Sequence, residues 1–356
     1  MSSVAAGCSH SLLVDYQGFV WSFGSNFDYE SGFKGALFRD VPAIISDLPA
    51  IESVSCSSCT SLLLDCTGIV WGFGTNEKGQ LGLGNKEKTL PTKIENLPRI
   101  QTVSAGYFHS LFLDANGEVW SCGENIDGEL GVGDRKTRKI PEKIENLPKI
   151  VDIKAGGFHS VFLAEDGTAF TCGYHNAENI FLNPTKVTDI PKIKAINAGS
   201  HNVVYIDYSN EVWMSGPKGF GSGPPLAPTK KKKLGNIQNC SINEHGLFLY
   251  PDGIVTAVGQ NKYGKLGLGD ASREVRTPEP IKNLPPIQMA SAGRDHSLLV
   301  DETGATWAFG YNSSGQLGIG SRAEIVHRDT PTKISGDILV NPSYINGTKT
   351  KSARST

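Results

Sequence analysis

The chain has no run of about 18 consecutive apolar residues, so no membrane-spanning helix is expected. Its opening, "MSSVAAGCSHSLLVD", has no basic leader followed by an apolar core, so a secretory signal is not expected either. Neither sign of charge is in excess. Lys and Arg number 34 against 36 Asp and Glu, a net charge of −2, and nothing global favours nucleic acid or an anionic membrane as partner. The seven cysteines are odd in number and lack framework spacing, which favours a reducing compartment, cytoplasm or nucleus. No stretch sustains a helical period.

What is abundant is glycine, at 41 residues, with 19 prolines. Such punctuation suits short strands and tight turns. With 38% hydrophobic and 20% charged residues the chain reads as globular. A length of 356 residues would ordinarily suggest two domains, but an internal repeat overrides that prior.

"AGCSHSLLVDYQGFVWSFGSN" begins at Ala6, "AGYFHSLFLDANGEVWSCGEN" at Ala105 and "AGRDHSLLVDETGATWAFGYN" at Ala292. Weaker copies begin at Cys56, Ala155, Ala198 and Ser241, which makes seven. In each, an apolar run, a Gly- or Asp-bearing turn and a second apolar run ending in glycine read as paired strands. A glycine loop, a Pro-led segment such as "LPTKIENLP" and a further apolar stretch complete roughly four strands per unit. The five tryptophans, Trp21, Trp71, Trp120, Trp213 and Trp307, share one position, held by Phe170 and Thr256 in the other copies. An indole once per copy reads as the anchor that packs unit on unit.

"GQLGLG" (79–84) by itself resembles a phosphate-cradling loop. It recurs as "GELGVG", "GKLGLG" and "GQLGIG" without a Lys-Ser/Thr tail, so its glycines are read as backbone punctuation with the leucine turned inward. No cofactor is expected. Closure of seven units into a ring leaves only short, protected edges, and the architecture expected is an all-β seven-bladed β-propeller over residues 1–338, four antiparallel strands per blade. Both termini are expected to close the ring within one blade, with 331–340 across the seam, and 339–356 to form a polar mobile tail.

The copies are unequal. The first replaces the glycine loop with "YESGFKGALFRD", the fourth loses it over 175–186, and the fifth has "GFGSGPPLAPTKKKK". His10, His109, His159, His245 and His296 share one position, with Thr60 and Asn202 elsewhere; a bond to neighbouring backbone is expected rather than metal binding. "CSSC" at 56–59 lacks a second ligand pair, so no metal site is expected. Lys230, Lys231, Lys232 and Lys233 form a candidate basic loop able to touch phosphate, acidic protein or an anionic membrane, with "DRKTRK" (134–139) a weaker patch. No aromatic residues interleave with either, so specific nucleic-acid binding is not expected.

The combination "AGxxHS…DxxGxVWxFGxNxxGQLGLG…PTKI" over residues 4–338 is similar to the regulator of chromosome condensation repeat, and the resemblance implies a seven-bladed propeller. In that family the two residues before the repeat histidine commonly contribute to a partner face. Here that implies Tyr107, Phe108, Phe158, His201, Glu244, Arg294 and Asp295 as candidates, with the first three grouped as an aromatic patch. Three functions follow from the resemblance. One is a non-catalytic protein-interaction platform, expected as a monomer. A second is guanine-nucleotide exchange on a Ran-like small GTPase. The third, ultraviolet sensing, needs tryptophans on a face and is set aside, because all five sit at the inter-strand position. Two departures from the family count against exchange: no copy carries an inserted strand pair that could wedge against a GTPase, and no basic N-terminal tail for chromatin is seen.

Overall fold

A computed structural model of the protein describes residues 2–84, 87–176, 179–216, 226–271, 274–320, 322–336 and 338–340. They form seven four-stranded antiparallel sheets arranged as a ring, a β-propeller. The first blade is β1 (Val4–Ala6), β2 (His10–Val14), β3 (Val20–Ser25) and β4 (Phe38–Ile44); the second is β5 (Ile51–Cys56), β6 (Thr60–Asp65), β7 (Val70–Thr75) and β8 (Lys88–Lys93). The third is β9 (Ile100–Ala105), β10 (His109–Asp114), β11 (Val119–Gly123) and β12 (Arg138–Lys143). The fourth is β13 (Ile150–Ala155), β14 (His159–Ala164), β15 (Ala169–Asn176) and β16 (Asn179–Lys186). The fifth is β17 (Ile193–Ala198), β18 (Val203–Asp207), β19 (Glu211–Gly216) and β20 (Leu226–Gly235). The sixth is β21 (Asn239–Ile242), β22 (His245–Leu249), β23 (Val255–Gln260) and β24 (Glu274–Pro280), and the seventh β25 (Ile287–Ala292), β26 (His296–Asp301), β27 (Thr306–Tyr311) and β28 (His327–Lys333). The first strands of all seven blades line a central cavity of about 680 Å³.

Both termini close the ring within the first blade, as expected: Val340 bridges Asp15 where Ile51 pairs with Asp65 and Ile100 with Asp114, so it stands ahead of β1 in the first blade's innermost strand position. Each blade is built from four consecutive strands. Apolar packing between the first and seventh blades seals the same seam. Val340 bridges Asp15 and is fully buried, although the sequence places it in the polar tail. Val4, Leu13 and Phe23 share one apolar cluster with Leu298, Val300 and Ile338. The remaining tail, 341–356, lies outside the described residues, as do 217–225 of the fifth copy's loop.

Local chemistry explains the blade. In the first hairpin Asp15 Oδ1 accepts from the backbone N–H of Gln17 and Phe19, so one carboxylate oxygen fixes the turn. Its other oxygen accepts the indole N–H of Trp21 at 2.8 Å. Asp65–Trp71, Asp207–Trp213 and Asp301–Trp307 repeat the bond. The indoles are therefore half-buried rather than central. Trp21 lies against the cluster it shares with the seventh blade, and Trp71 against the one it shares with the first. The fully buried positions come two residues later: Phe23, Phe73, Phe309, Cys122 and Cys172.

The glycine loop is structural. Leu81, Leu130, Leu266 and Leu317 are buried, and Gly79, Gly82 and Gly84 all have φ near +70°. Asn76 Oδ1 accepts from the Leu81 N–H at 2.7 Å, and Asn125, Asn261 and Asn312 repeat that bond. The first blade keeps the loop, contrary to the sequence reading. Tyr29 adopts φ 66° where Gly79 stands in the second blade, and Asn26 Oδ1 accepts from Ser31 N–H. In the fourth blade β15 and β16 instead extend into a long hairpin.

Candidate functional site

The two residues before each repeat histidine form a tight bend between the first and second strands of the blade. The bend closes through bonds such as Gly7 N–H to His10 C=O and Gly106 N–H to His109 C=O. Successive bends are also joined: Cys8 N–H to Ser57 C=O, Tyr107 N–H to Gly156 C=O, Arg294 N–H to Gly7 C=O. This close approach is why glycine precedes the bend. A Cβ on Gly7 would sit 2.7 Å from the Ser57 carbonyl oxygen and 2.6 Å from the His10 ring.

The histidines beneath the bends are buried, and four of them, His10, His109, His245 and His296, are partnered by serines of the next blade rather than by the local backbone expected. His10 Nε2 lies 2.9 Å from Ser61 Oγ, His109 Nε2 2.9 Å from Ser160 Oγ, and His245 Nε2 2.6 Å from Ser297 Oγ. His296 closes the ring onto Ser11. Each serine donates its own proton onward to a carbonyl in the glycine loop, of Glu30, Glu129, Lys265 and Gln316 respectively. The hydroxyl must then accept from the ring, so each imidazole is the neutral Nε2–H tautomer. Burial lowers their pKa values, to about 3 for His10 and about 4 for His109 and His296.

The bends gather the candidate residues at one mouth of the central cavity. Phe158 stacks on His201 with centroids 5.8 Å apart, and Tyr107 meets Phe158 edge-on at 5.9 Å and Phe108 at 6.5 Å. Tyr107 is not a free anchor, however. Its hydroxyl crosses from the third blade to Ser200 Oγ of the fifth, and to Asn243 Oδ1 and Glu244 Oε1 of the sixth at 3.3 and 3.4 Å. Burial pushes its phenol pKa up. Tyr107 is a strut across the mouth, and Phe108, Phe158, His201 and Glu244 are half-buried beside it. Arg294 is the outward group, with a side chain 61% exposed. Asp295 is held at 3.1 Å by the buried ammonium of Lys265, which also donates to the Arg294 carbonyl.

The other candidates fall elsewhere. Lys230–Lys233 occupy strand β20, not a loop. Arg138 of the 134–139 patch pairs with Asp134 at 3.0 Å and with Glu142, so its charge is spent locally. The cysteines are free, and burial pushes Cys59 up to about 12. Among the described residues no group of three metal-ligating side chains gathers. No helix of the described residues is long and apolar enough to cross a membrane. Sequence reasoning missed Lys265 and the four relay serines; a serine follows the histidine position directly in five of the seven copies, a signal that was available.

The regulator of chromosome condensation (RCC1) repeat matches residues 67–113, 116–163, 252–300 and 303–341, just over half of the chain. A second form of the repeat matches 100–129 and 150–179. The human protein RCC2 is 34% identical over 124 residues, 34% of this chain and 22% of that protein. The ultraviolet-B receptor UVR8 of Arabidopsis thaliana is 30% identical over 168 residues, 43% of this chain and 38% of the receptor. The matches thus span well under half of either relative's length. Prp20p of Saccharomyces cerevisiae has the same fold, with a TM-score of 0.81 at 22% identity over 92% of this chain and 88% of that one. Human WBSCR16 superposes with a TM-score of 0.77 at 22% identity, over 89% and 93% of the two chains. Repeat by repeat and blade by blade, this chain belongs to the regulator of chromosome condensation repeat family.

Proposed function

We propose that the protein is a monomeric, non-catalytic interaction platform of the nucleus or cytoplasm whose bend face engages a Ran-like small GTPase. The carrying observation is the convergence of Arg294, Phe108, Phe158 and His201 at one mouth of the ring, on bends locked together by backbone bonds. An exposed arginine on the same face as rigid aromatics is the composition of an interface anchor, and a pre-organised face loses little entropy on binding. Similarity to Prp20p, which has binding properties to Gsp1p and histones, supports a protein partner. The second reading is nucleotide exchange, which requires tighter binding of the nucleotide-free GTPase than of the loaded form.

The test is titration of the purified protein against a Ran-like GTPase, nucleotide-free and GDP-loaded. Saturable binding weakened about 30-fold by Arg294→Glu, roughly 2 kcal/mol, supports the platform. Absence of binding at micromolar concentration, or binding unmoved by that change, overturns it. Faster release of a fluorescent guanine nucleotide selects exchange; an unchanged rate with binding retained selects the platform.

A further inference from the structure

The lysine run is an insertion into a spacing that the blades otherwise share. Opposite the tryptophan position, the outer strand carries Pro91-Thr92-Lys93-Ile94 in the second blade and Pro331-Thr332-Lys333-Ile334 in the seventh. The third and fourth blades repeat the frame as Pro141–Ile144 and Pro184–Val187. Each aliphatic residue of Ile94, Ile144 and Ile334 is buried. In the fifth blade Lys230 pairs with Trp213 as Lys93 pairs with Trp71, but the buried aliphatic residue is Leu234. Lys231, Lys232 and Lys233 are therefore extra. The register against β19 shifts between Glu211 and Trp213 to accommodate them. A bulge in an outermost strand commonly redirects side chains at a functional site.

Beside the bulge is a cavity of about 380 Å³ between the fifth and sixth blades. Its apolar lining is Met214, Leu234, Val258 and Pro278, and its rim is the four lysines with Arg276. Val258 and Pro278 hold the positions of Cys122 and Pro141 in the third blade and of Cys172 and Pro184 in the fourth. There the seat is covered by a glycine loop: Gly82 against Cys122 and Pro141, Gly131 against Cys172 and Pro184. In the fifth blade the corresponding segment, 217–225, lies outside the described residues, and Val258 and Pro278 line the cavity. On the rim, Lys230 pairs with Glu211 and Arg276 with Glu274. Lys231, Lys232 and Lys233 have no ion-pair partner among the described residues.

We propose that this groove is a second docking site, distinct from the bend face, that takes an acidic protein segment carrying one bulky apolar side chain. Charge complementarity selects an anionic ligand. The apolar seat selects a side chain over a phosphate backbone, and no aromatic among the described residues lines the cavity to stack a nucleobase. The acidic segment brings carboxylates to Lys231–Lys233 and Arg276 while its anchor fills the seat over Val258 and Pro278.

The probe is a fluorescein-labelled peptide of Asp and Glu with a single central Phe, read by anisotropy at low and moderate salt. Two variants are compared with the intact protein. Deletion of 231–233 restores the spacing of the other blades, and the triple change Lys231→Glu, Lys232→Glu, Lys233→Glu reverses the rim charge without shortening the strand. Both are expected to weaken binding at least tenfold while melting within a few degrees of the parent; if the deletion does not fold, the charge reversal decides. Replacing the peptide's Phe by Ala is expected to weaken binding at least threefold. Unchanged affinity in a folded variant overturns the proposal, as does indifference to the Phe. Tighter binding of a single-stranded oligonucleotide of equal charge, or of phosphatidylserine vesicles, also overturns it.

Discussion

His10 of the first blade and Ser61 of the second are joined at 2.9 Å, and the serine passes the bond on to the Glu30 carbonyl in the first blade's own loop. One side-chain pair therefore ties a strand, its neighbour in the ring and a glycine loop. Its recurrence at His109–Ser160, His245–Ser297 and His296–Ser11 makes it the polar counterpart of the apolar contacts between blades.

Acid should loosen the ring. These imidazoles are neutral in the folded protein with pKa values lowered by burial, to about 3 or 4 where a value is resolved. In the unfolded chain they titrate near 6.5. Their contribution is complete above about pH 6.5 and is lost as pH falls toward 4, at up to about 1.4 kcal/mol per pH unit for each histidine. Urea midpoints between pH 7 and 5 should fall steeply. His109→Asn, which copies Asn202 of the fifth blade, should flatten that slope by about 1 kcal/mol per pH unit. An unchanged slope would refute the relay's neutral state.

Glu129 should act with the opposite sign. It is buried in the glycine loop where the second and seventh blades have Gln80 and Gln316, and burial raises its carboxyl to about 7. An acid whose folded pKa is raised stabilises least when ionised, so its cost grows as pH rises from about 4.5 through 7. Glu129→Gln keeps the acceptor that Asp127 N–H uses at 2.8 Å. The variant should match the parent at pH 4.5 and exceed it by about 2–3 kcal/mol at pH 8. Equal melting at both pH values would contradict this.

The bend glycines should tolerate no side chain. A Cβ on Gly106 would lie 2.5 Å from the His109 ring and 2.7 Å from the Gly156 carbonyl oxygen. Both neighbours are fixed, so Gly106→Ala should cost about 3 kcal/mol or more by displacing a buried network. Gly35→Ala, where nothing lies within 4 Å but φ is +90°, should cost about 1 kcal/mol, from backbone strain alone. Thermal melts of the pair separate crowding from strain.

The indole bond should be worth little beside the ring's packing. Trp307→Phe removes a 2.9 Å donor to Asp301 but keeps most of the apolar contact. A loss of about 1 kcal/mol is expected. A loss above about 3 kcal/mol in chemical denaturation would show the tryptophan, rather than buried Phe309, to be the main joint.

The repeated copies make the strands legible, because each apolar run is bounded by Asp, Gly or Pro at a fixed offset. Blade number follows by counting. The lysine run misleads because four adjacent charges suggest a solvated loop, yet Leu234 restores the Pro-Thr-Lys-aliphatic frame and marks a strand with an insertion. The first blade's loop is hidden because Tyr29 stands where glycine is usual; the tertiary frame holds that tyrosine at φ 66°.

The sequence by itself determined the unit: a sheet with Asp-fixed turns and an inward leucine, both set by interactions within a few residues. Only the tertiary structure decided which units meet. Tyr107 finds Ser200 and Asn243, 93 and 136 residues away, because closing seven blades about an axis brings distant bends to one mouth. Local pattern carries no information about partners across a ring, since every copy offers the same apolar face to its neighbours and only closure fixes what lies opposite.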